Sequence, residues 1–115
     1  MRELAGGNLV ARSRVQGERL LGLLREALAG IPEVSEVRGR GLLVGVDFRY
    51  PGSTTPMKEA AVRVATLALR KGILALPAGA TGHVLELSPP LVITDEQVDW
   101  VVPRLRQVIE EALAV

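Results

Sequence analysis

Cysteine is absent from the 115 residues, which excludes disulfides, thiol nucleophiles and cysteine-based metal sites outright. Aromatic side chains are almost absent too: Phe48, Tyr50 and Trp100 are the full set, too few for a platform on which bases stack. An excess of one charge is also lacking. The 14 basic and 13 acidic side chains leave a net +1 with no run of Lys or Arg, so a nucleic-acid binder's electrostatic footprint is missing. Histidine occurs once, at His83, with no second imidazole to complete a zinc site. No apolar run approaches the length of a membrane span, and Arg2 and Glu3 do not fit a signal-peptide start. The expected compartment is the cytoplasm, with neither nucleic acid nor membrane as partner.

What is present is a chain 48% hydrophobic and 23% charged, enough for one domain around one core. Its organising stretch is EVRGRGLLVGVDF at positions 36–48. From Leu42 the side chains alternate, with Leu42, Val44, Val46 and Phe48 on one face and Leu43, Gly45 and Asp47 on the other, the pattern of a half-buried strand. Gly39 and Gly41 suit a tight reversal from a short strand at 34–37, so the stretch reads as a hairpin. Gly39, Gly41 and Gly45 are spaced GxGxxxG, one residue too long for a dinucleotide fingerprint, and no helix follows to hold a phosphate. A structural turn is the better reading.

Before the hairpin, Leu9, Val10, Leu20, Leu21, Leu24, Ala27 and Leu28 form the apolar stripe of a helix over 8–29, behind a flexible start at 1–7. Gly17 and Gly22 inside it suggest close packing, and Gly30 reads as a left-handed cap before Pro32. After Phe48, a turn-rich loop leads to Thr55 as cap and Pro56 as first residue of a second helix. Its stripe of Met57, Ala60, Ala61, Val64, Leu67 and Ala68 closes at Lys71 and Gly72. Short strands follow at 73–76 and 84–87. The last helix has the clearest start: Thr94 and Gln97 form a capping box, Ile93 and Val98 a hydrophobic staple, and Asp95 and Glu96 favour the dipole's positive end. Pro103 inside it predicts a kink or break between Asp99 and Pro103.

The order α-β-β-α-β-β-α predicts one α+β domain over 1–115. It is a two-layer sandwich, with a mostly antiparallel sheet of three or four short strands and three helices on one face. The other face is left partly open, and its expected occupants, Leu43, Gly45, Asp47, Val84 and Glu86, mix apolar and charged groups as an interface does. Catalytic groups are scarce. Lys58 and Lys71 fall at polar helix positions or a helix end, where a solvated ammonium is the default and a desolvated Schiff-base lysine is not expected. Asp95 and Glu96 are explained by the helix start, and His83 reads as a turn residue.

Three pieces in order, VRGRGLLVGVDF at 37–48, LRKGIL at 69–74 and VLELSPPLVITDEQ at 84–97, give the chain a family likeness. Across residues 8–114 it resembles the carboxyl-terminal small domain of class III aminotransferases. These are fold-type I pyridoxal-phosphate enzymes that include the acetylornithine, ornithine and 4-aminobutyrate aminotransferases. The resemblance implies a segment that packs over an active site and helps to close it. It would be inactive alone and bind no coenzyme itself, pyridoxal phosphate belonging to the complete enzyme.

The implied partner is the large domain, whose absence would leave a face prone to self-association. Many members place a carboxylate-binding arginine in an Arg-x-x-Pro-Pro pattern, and Glu86 holds that position in ELSPP. An acid cannot form the bidentate pair an arginine makes with a carboxylate. The resemblance therefore implies that Glu86 attracts an ammonium or hydroxyl group of the substrate, unless it is simply a solvent-facing strand residue. A second function class stands beside this one: the same fold as a stand-alone, non-catalytic binding or interaction module.

Overall fold

The computed structural model describes residues 2–40, 43–88 and 94–114, and only the backbone of residues 2–10, 12, 13 and 40. In chain order the elements are α1 (Arg2–Leu28), β1 (Val34–Arg40), β2 (Leu43–Phe48), α2 (Ala60–Arg70), β3 (Leu76–Ala78), β4 (Val84–Leu87) and α3 (Asp95–Leu113). The α+β order read from the sequence is the order observed. All strand pairs are antiparallel, and the sheet runs β1-β2-β4-β3. Each hairpin keeps its own two strands adjacent, and β2 and β4 join the hairpins in the middle.

Alternation decides what each face of the sheet carries. Val37, Val46 and Leu85 pair across three strands, as do Gly39, Val44 and Leu87, and with Phe48 they make the covered face. α1 packs on β1 and β2, α2 on β3 and β4, and α3 lies against both helices. Leu20, Leu24 and Leu28 from α1, Ala60, Ala61, Val64 and Ala68 from α2, and Val98, Leu105, Val108 and Ile109 from α3 complete a single core. Small residues dominate the inner stripe of α2, which lets its backbone approach the sheet closely.

Several local expectations are corrected. β1 reaches Arg40, three residues past the expected strand, and Gly39 lies within it opposite Val44. A Cβ on Gly39 would meet Leu21 Cδ2 at 2.8 Å, so this glycine admits α1 to the sheet rather than making a turn. Gly41 and Leu42 lie outside the described residues. Gly17 and Gly22 have open space around them, not close packing. Gly30 does not adopt a positive φ, because the end of α1 is capped differently: the Arg106 guanidinium, from α3, donates to the Ala27 carbonyl. Helical backbone begins at Arg2, so residues 2–7 carry helix where a flexible start was expected.

α2 does not start at Thr55 and Pro56. Arg49 and Pro56 form a bridge, Met57 N–H donates to Phe48 O at 3.0 Å, and residues 56 and 57 are thereby held as an extension of the sheet. Glu59, at φ 62, turns the chain into the helix. The N–H groups of Glu59 and Ala61 donate to the carbonyls of Thr81 and Gly82, so the β3–β4 loop satisfies this helix start without a side-chain cap. Lys58 consequently sits in a turn before α2, not on it. At the other end Gly72, at φ 86, is the expected capping glycine, and Ile73 N–H closes onto Ala68 O at 2.9 Å.

β3 occupies residues 76–78 in place of the expected 73–76. Ile73 and Ala75 are buried lead-in residues, and Pro77 is tolerated because β3 is an edge strand. The capping box of α3 forms as read: Gln97 N–H donates to Thr94 Oγ1 at 3.1 Å, and Thr94 N–H to Gln97 Oε1 at 2.9 Å. Its staple partner Ile93 lies outside the described residues. α3 is not broken at Pro103; the helix runs from Asp95 to Leu113 with Pro103 on its exposed side, where water can take up the carbonyl the proline leaves unpaired.

Candidate functional site

The uncovered face of the sheet is built from two rows. In one, Glu36, Asp47, Val84 and Ala78 stand opposite one another across all four strands; in the next, Arg38, Gly45, Glu86 and Leu76 do. The expected occupants Gly45, Asp47, Val84 and Glu86 thus share this face, with Leu43 one row further along β2. The two rows have settled their charges in opposite ways.

Asp47 is 3% exposed, and its carboxylate is clasped from both sides. Arg38 Nη1 donates to Oδ2 at 3.1 Å, Arg49 Nε to Oδ1 at 3.2 Å and Arg49 Nη2 to Oδ2 at 3.3 Å. Burial pushes the Asp47 carboxyl up, but the hydrogen bonds and charges of Arg49 and Arg38 outweigh it and hold the group below the usual carboxylate range. Arg38 is raised in turn, chiefly by its hydrogen bond to Asp47, and it also reaches Glu36 at 3.1 Å. Arg49 Nη1 anchors the following loop through the Thr54 carbonyl at 2.6 Å. This cluster ties β1, β2 and the loop together, and the reading of residues one at a time missed it. The signal was there: Asp47 and Arg49 are two apart in one strand run and so share a face.

Glu86 is half-buried in the middle of the second row. It borders a cleft of about 550 Å³ at the end of the sheet, formed with Leu43, Leu74, Leu76, Ser88 and Trp100. The left-handed turn at Gly72 creates this wall: it sends Ile73 and Ala75 inward and leaves Leu74 74% and Leu76 61% exposed beside the cleft. Trp100, on the first turns of α3, also lines the cleft, with Arg104 4.5 Å over its ring.

The other candidates do not join this site. His83 sits in the β3–β4 loop with Thr81 Oγ1 2.9 Å from Nδ1, and a Cβ at Gly79 would come within 2.8 Å of its ring. Lys58 and Lys71 are both exposed, so neither has the desolvated pocket that a Schiff-base amine requires. Among the described residues no group of three or more His, Cys, Asp or Glu side chains is placed to hold a metal, and no helix is long and apolar enough to cross a membrane.

Known proteins share both the sequence and this architecture. The chain is 36% identical over 91 residues to the 5-aminovalerate aminotransferase of Pseudomonas putida, covering 79% of this chain and 21% of that protein. It is 37% identical over 100 residues to the diaminobutyrate–2-oxoglutarate aminotransferase of Rhizobium meliloti, covering 81% and 21%. Among solved structures, a Bacillus anthracis aminotransferase superposes with a TM-score of 0.83 at 31% identity, over 96% of this chain and 26% of that one. The adenosylmethionine-8-amino-7-oxononanoate aminotransferase of Methanocaldococcus jannaschii does so at 0.78 and 29%, over 96% and 25%. The chain thus spans about a fifth to a quarter of the relatives it matches. The family profile described as aminotransferase class-III covers residues 1–109, and the chain belongs to the class-III aminotransferases.

Proposed function

We propose that this chain acts as the small-domain segment of a pyridoxal-phosphate-dependent class-III aminotransferase. In this reading it packs over an active site whose coenzyme-binding residues lie in a large domain outside these 115 residues. The observation that carries the proposal is the superposition of 96% of this chain on 26% of the Bacillus anthracis aminotransferase. The exposure of both lysines supports placing the coenzyme grip elsewhere. The reaction of the complete enzyme would be amino-group transfer from an amino acid or amine to a 2-oxo acid, the chemistry named for the relatives.

The chain's own part is to bind and to exclude water. Its uncovered sheet face and the cleft beside it are the surface a large domain would meet, and without that cover the exposed Leu74 and Leu76 favour self-association. Glu86 is proposed as a substrate-contacting residue, since it borders the cleft where a substrate group would be enclosed. Its acid favours an ammonium or hydroxyl over a carboxylate.

A chimera tests the proposal. This chain would replace the corresponding quarter of the Bacillus anthracis aminotransferase, and amino transfer would be assayed with added pyridoxal phosphate. The chimera is expected to transfer amino groups, whereas the chain alone should give neither transfer nor an aldimine absorbance band. A chimera that folds and takes up the coenzyme yet transfers nothing, or a chain that forms the aldimine unaided, would overturn the reading.

A further inference from the structure

Glu86 is an acid whose nearest cation in the row is already engaged. Arg38 stands two strands away, about 10 Å at ordinary strand spacing, and its Nη1 is committed to Asp47 and Glu36 at 3.1 Å each. Gly45, between them, contributes no side chain. Among the described residues Glu86 has no ion-pair or hydrogen-bond partner, although it is half-buried. Among the described residues it is also the one charged group on the wall of the 550 Å³ cleft, against Leu43, Leu74, Leu76, Val101 and Trp100.

Those two facts specify a ligand. A carboxylate partly desolvated by apolar walls gains most from a cation brought to it, because Coulomb attraction strengthens as water is excluded. Exposed leucines gain from being covered by hydrocarbon. A hydroxyl would leave the charge uncompensated, and an anion would be repelled. A metal ion would leave the leucines wet. One molecule meets both demands when it carries a protonated amine on an alkyl stem.

We propose that the cleft is a binding site for a primary alkylammonium group, its head on the Glu86 carboxylate and its stem along Leu43, Leu74 and Leu76. The site belongs to this chain's residues. Only the identification of its ligand with an amine substrate rests on the aminotransferase reading.

The test titrates the chain with hexylammonium chloride, sodium hexanoate and hexanol, read by calorimetry and by the fluorescence of Trp100, the sole tryptophan. Hexylammonium should bind about tenfold more tightly than hexanoate, or more so. Glu86→Gln should bring its affinity down to that of hexanol while hexanol binding persists, which doubles as the check that the variant folds. Glu86→Arg should favour hexanoate. The proposal is overturned if the wild-type chain shows no saturable binding of hexylammonium, or if Glu86→Gln binds it as tightly as wild type. The two readings fail separately: an inactive chimera would leave this titration standing, and a failed titration would leave amino transfer by the chimera intact.

Discussion

One sheet presents two faces with the same backbone pairing and opposite demands on sequence. On the helix side, Val37, Val44, Val46, Phe48, Leu85 and Leu87 are each under a tenth exposed, and every one faces carbon. On the other side Asp47 is equally buried, yet it is held by two arginines, while Glu86 a row away is held by nothing among the described residues. The contrast separates stability from recognition: the covered face needs volume and shape, and the uncovered face needs particular charges at particular registers. Substitutions on the two should therefore differ in size and in kind.

The largest effect is expected at Phe48, which is fully buried at the end of β2. Phe48→Ala should cost about 3–5 kcal/mol through lost transfer energy and an unfilled cavity. Urea unfolding followed by circular dichroism measures it. A loss under about 1 kcal/mol would mean that the helix side is not the core that organises the chain.

That face was legible in the sequence because burial on one side of a strand writes itself as a period of two, and on a helix as a period of 3.6. Val44, Val46 and Phe48, the stripe of α2 and the capping box at Thr94 were all readable on those grounds. What the sequence hid was settled between distant segments. α2 starts where the carbonyls of Thr81 and Gly82 accept its first N–H groups, about twenty residues away in the chain, and no local rule places Glu59 in a left-handed turn. Gly39 looked like a turn residue and proved to be a contact with Leu21. Glu86 was singled out by a family likeness, and the structure adds the cleft around it and the reason its carboxylate is unpartnered among the described residues. Within the Asp47 cluster the Arg49 contact was readable from its spacing, but the Arg38 contact needed the register of β1 on β2, which alternation within one strand cannot supply.

Asp47 itself gives the second-largest effect. Asp47→Asn leaves Arg38 and Arg49 without their shared anion, and about 2 kcal/mol of stability should be lost at neutral pH. The sign of the pH dependence follows from a carboxyl held low in the folded state. Its contribution is fully present above the unfolded value near 4 and disappears as pH falls through the lower folded value. Wild type should accordingly lose stability on acidification faster than Asp47→Asn, so that their urea midpoints converge as pH falls from about 5 through the unfolded value near 4 and below it. Parallel midpoints across that range would show that the arginine clasp contributes no stability.

A smaller change is expected at the start of α3. Thr94→Ala removes the acceptor for Gln97 N–H and should cost about 1 kcal/mol, while Thr94→Ser, which keeps the hydroxyl, should cost much less. Equal losses for both would point to the Thr94 methyl rather than the cap.

The smallest stability effect should fall on the residue placed nearest to function. Glu86→Gln keeps the shape of a half-buried side chain that makes no hydrogen bond or ion pair among the described residues. The unfolding midpoint should therefore shift by no more than about 0.5 kcal/mol in either direction. Removing an unpartnered, partly desolvated charge gives the change a reason to be slightly stabilising, the opposite sign to Asp47→Asn one row away. Two acid-to-amide substitutions on the same sheet face, one strand apart, would then move stability in different directions. A Glu86→Gln loss as large as that at Asp47 would mean that Glu86 has a structural partner, and it would no longer be available to an incoming cation.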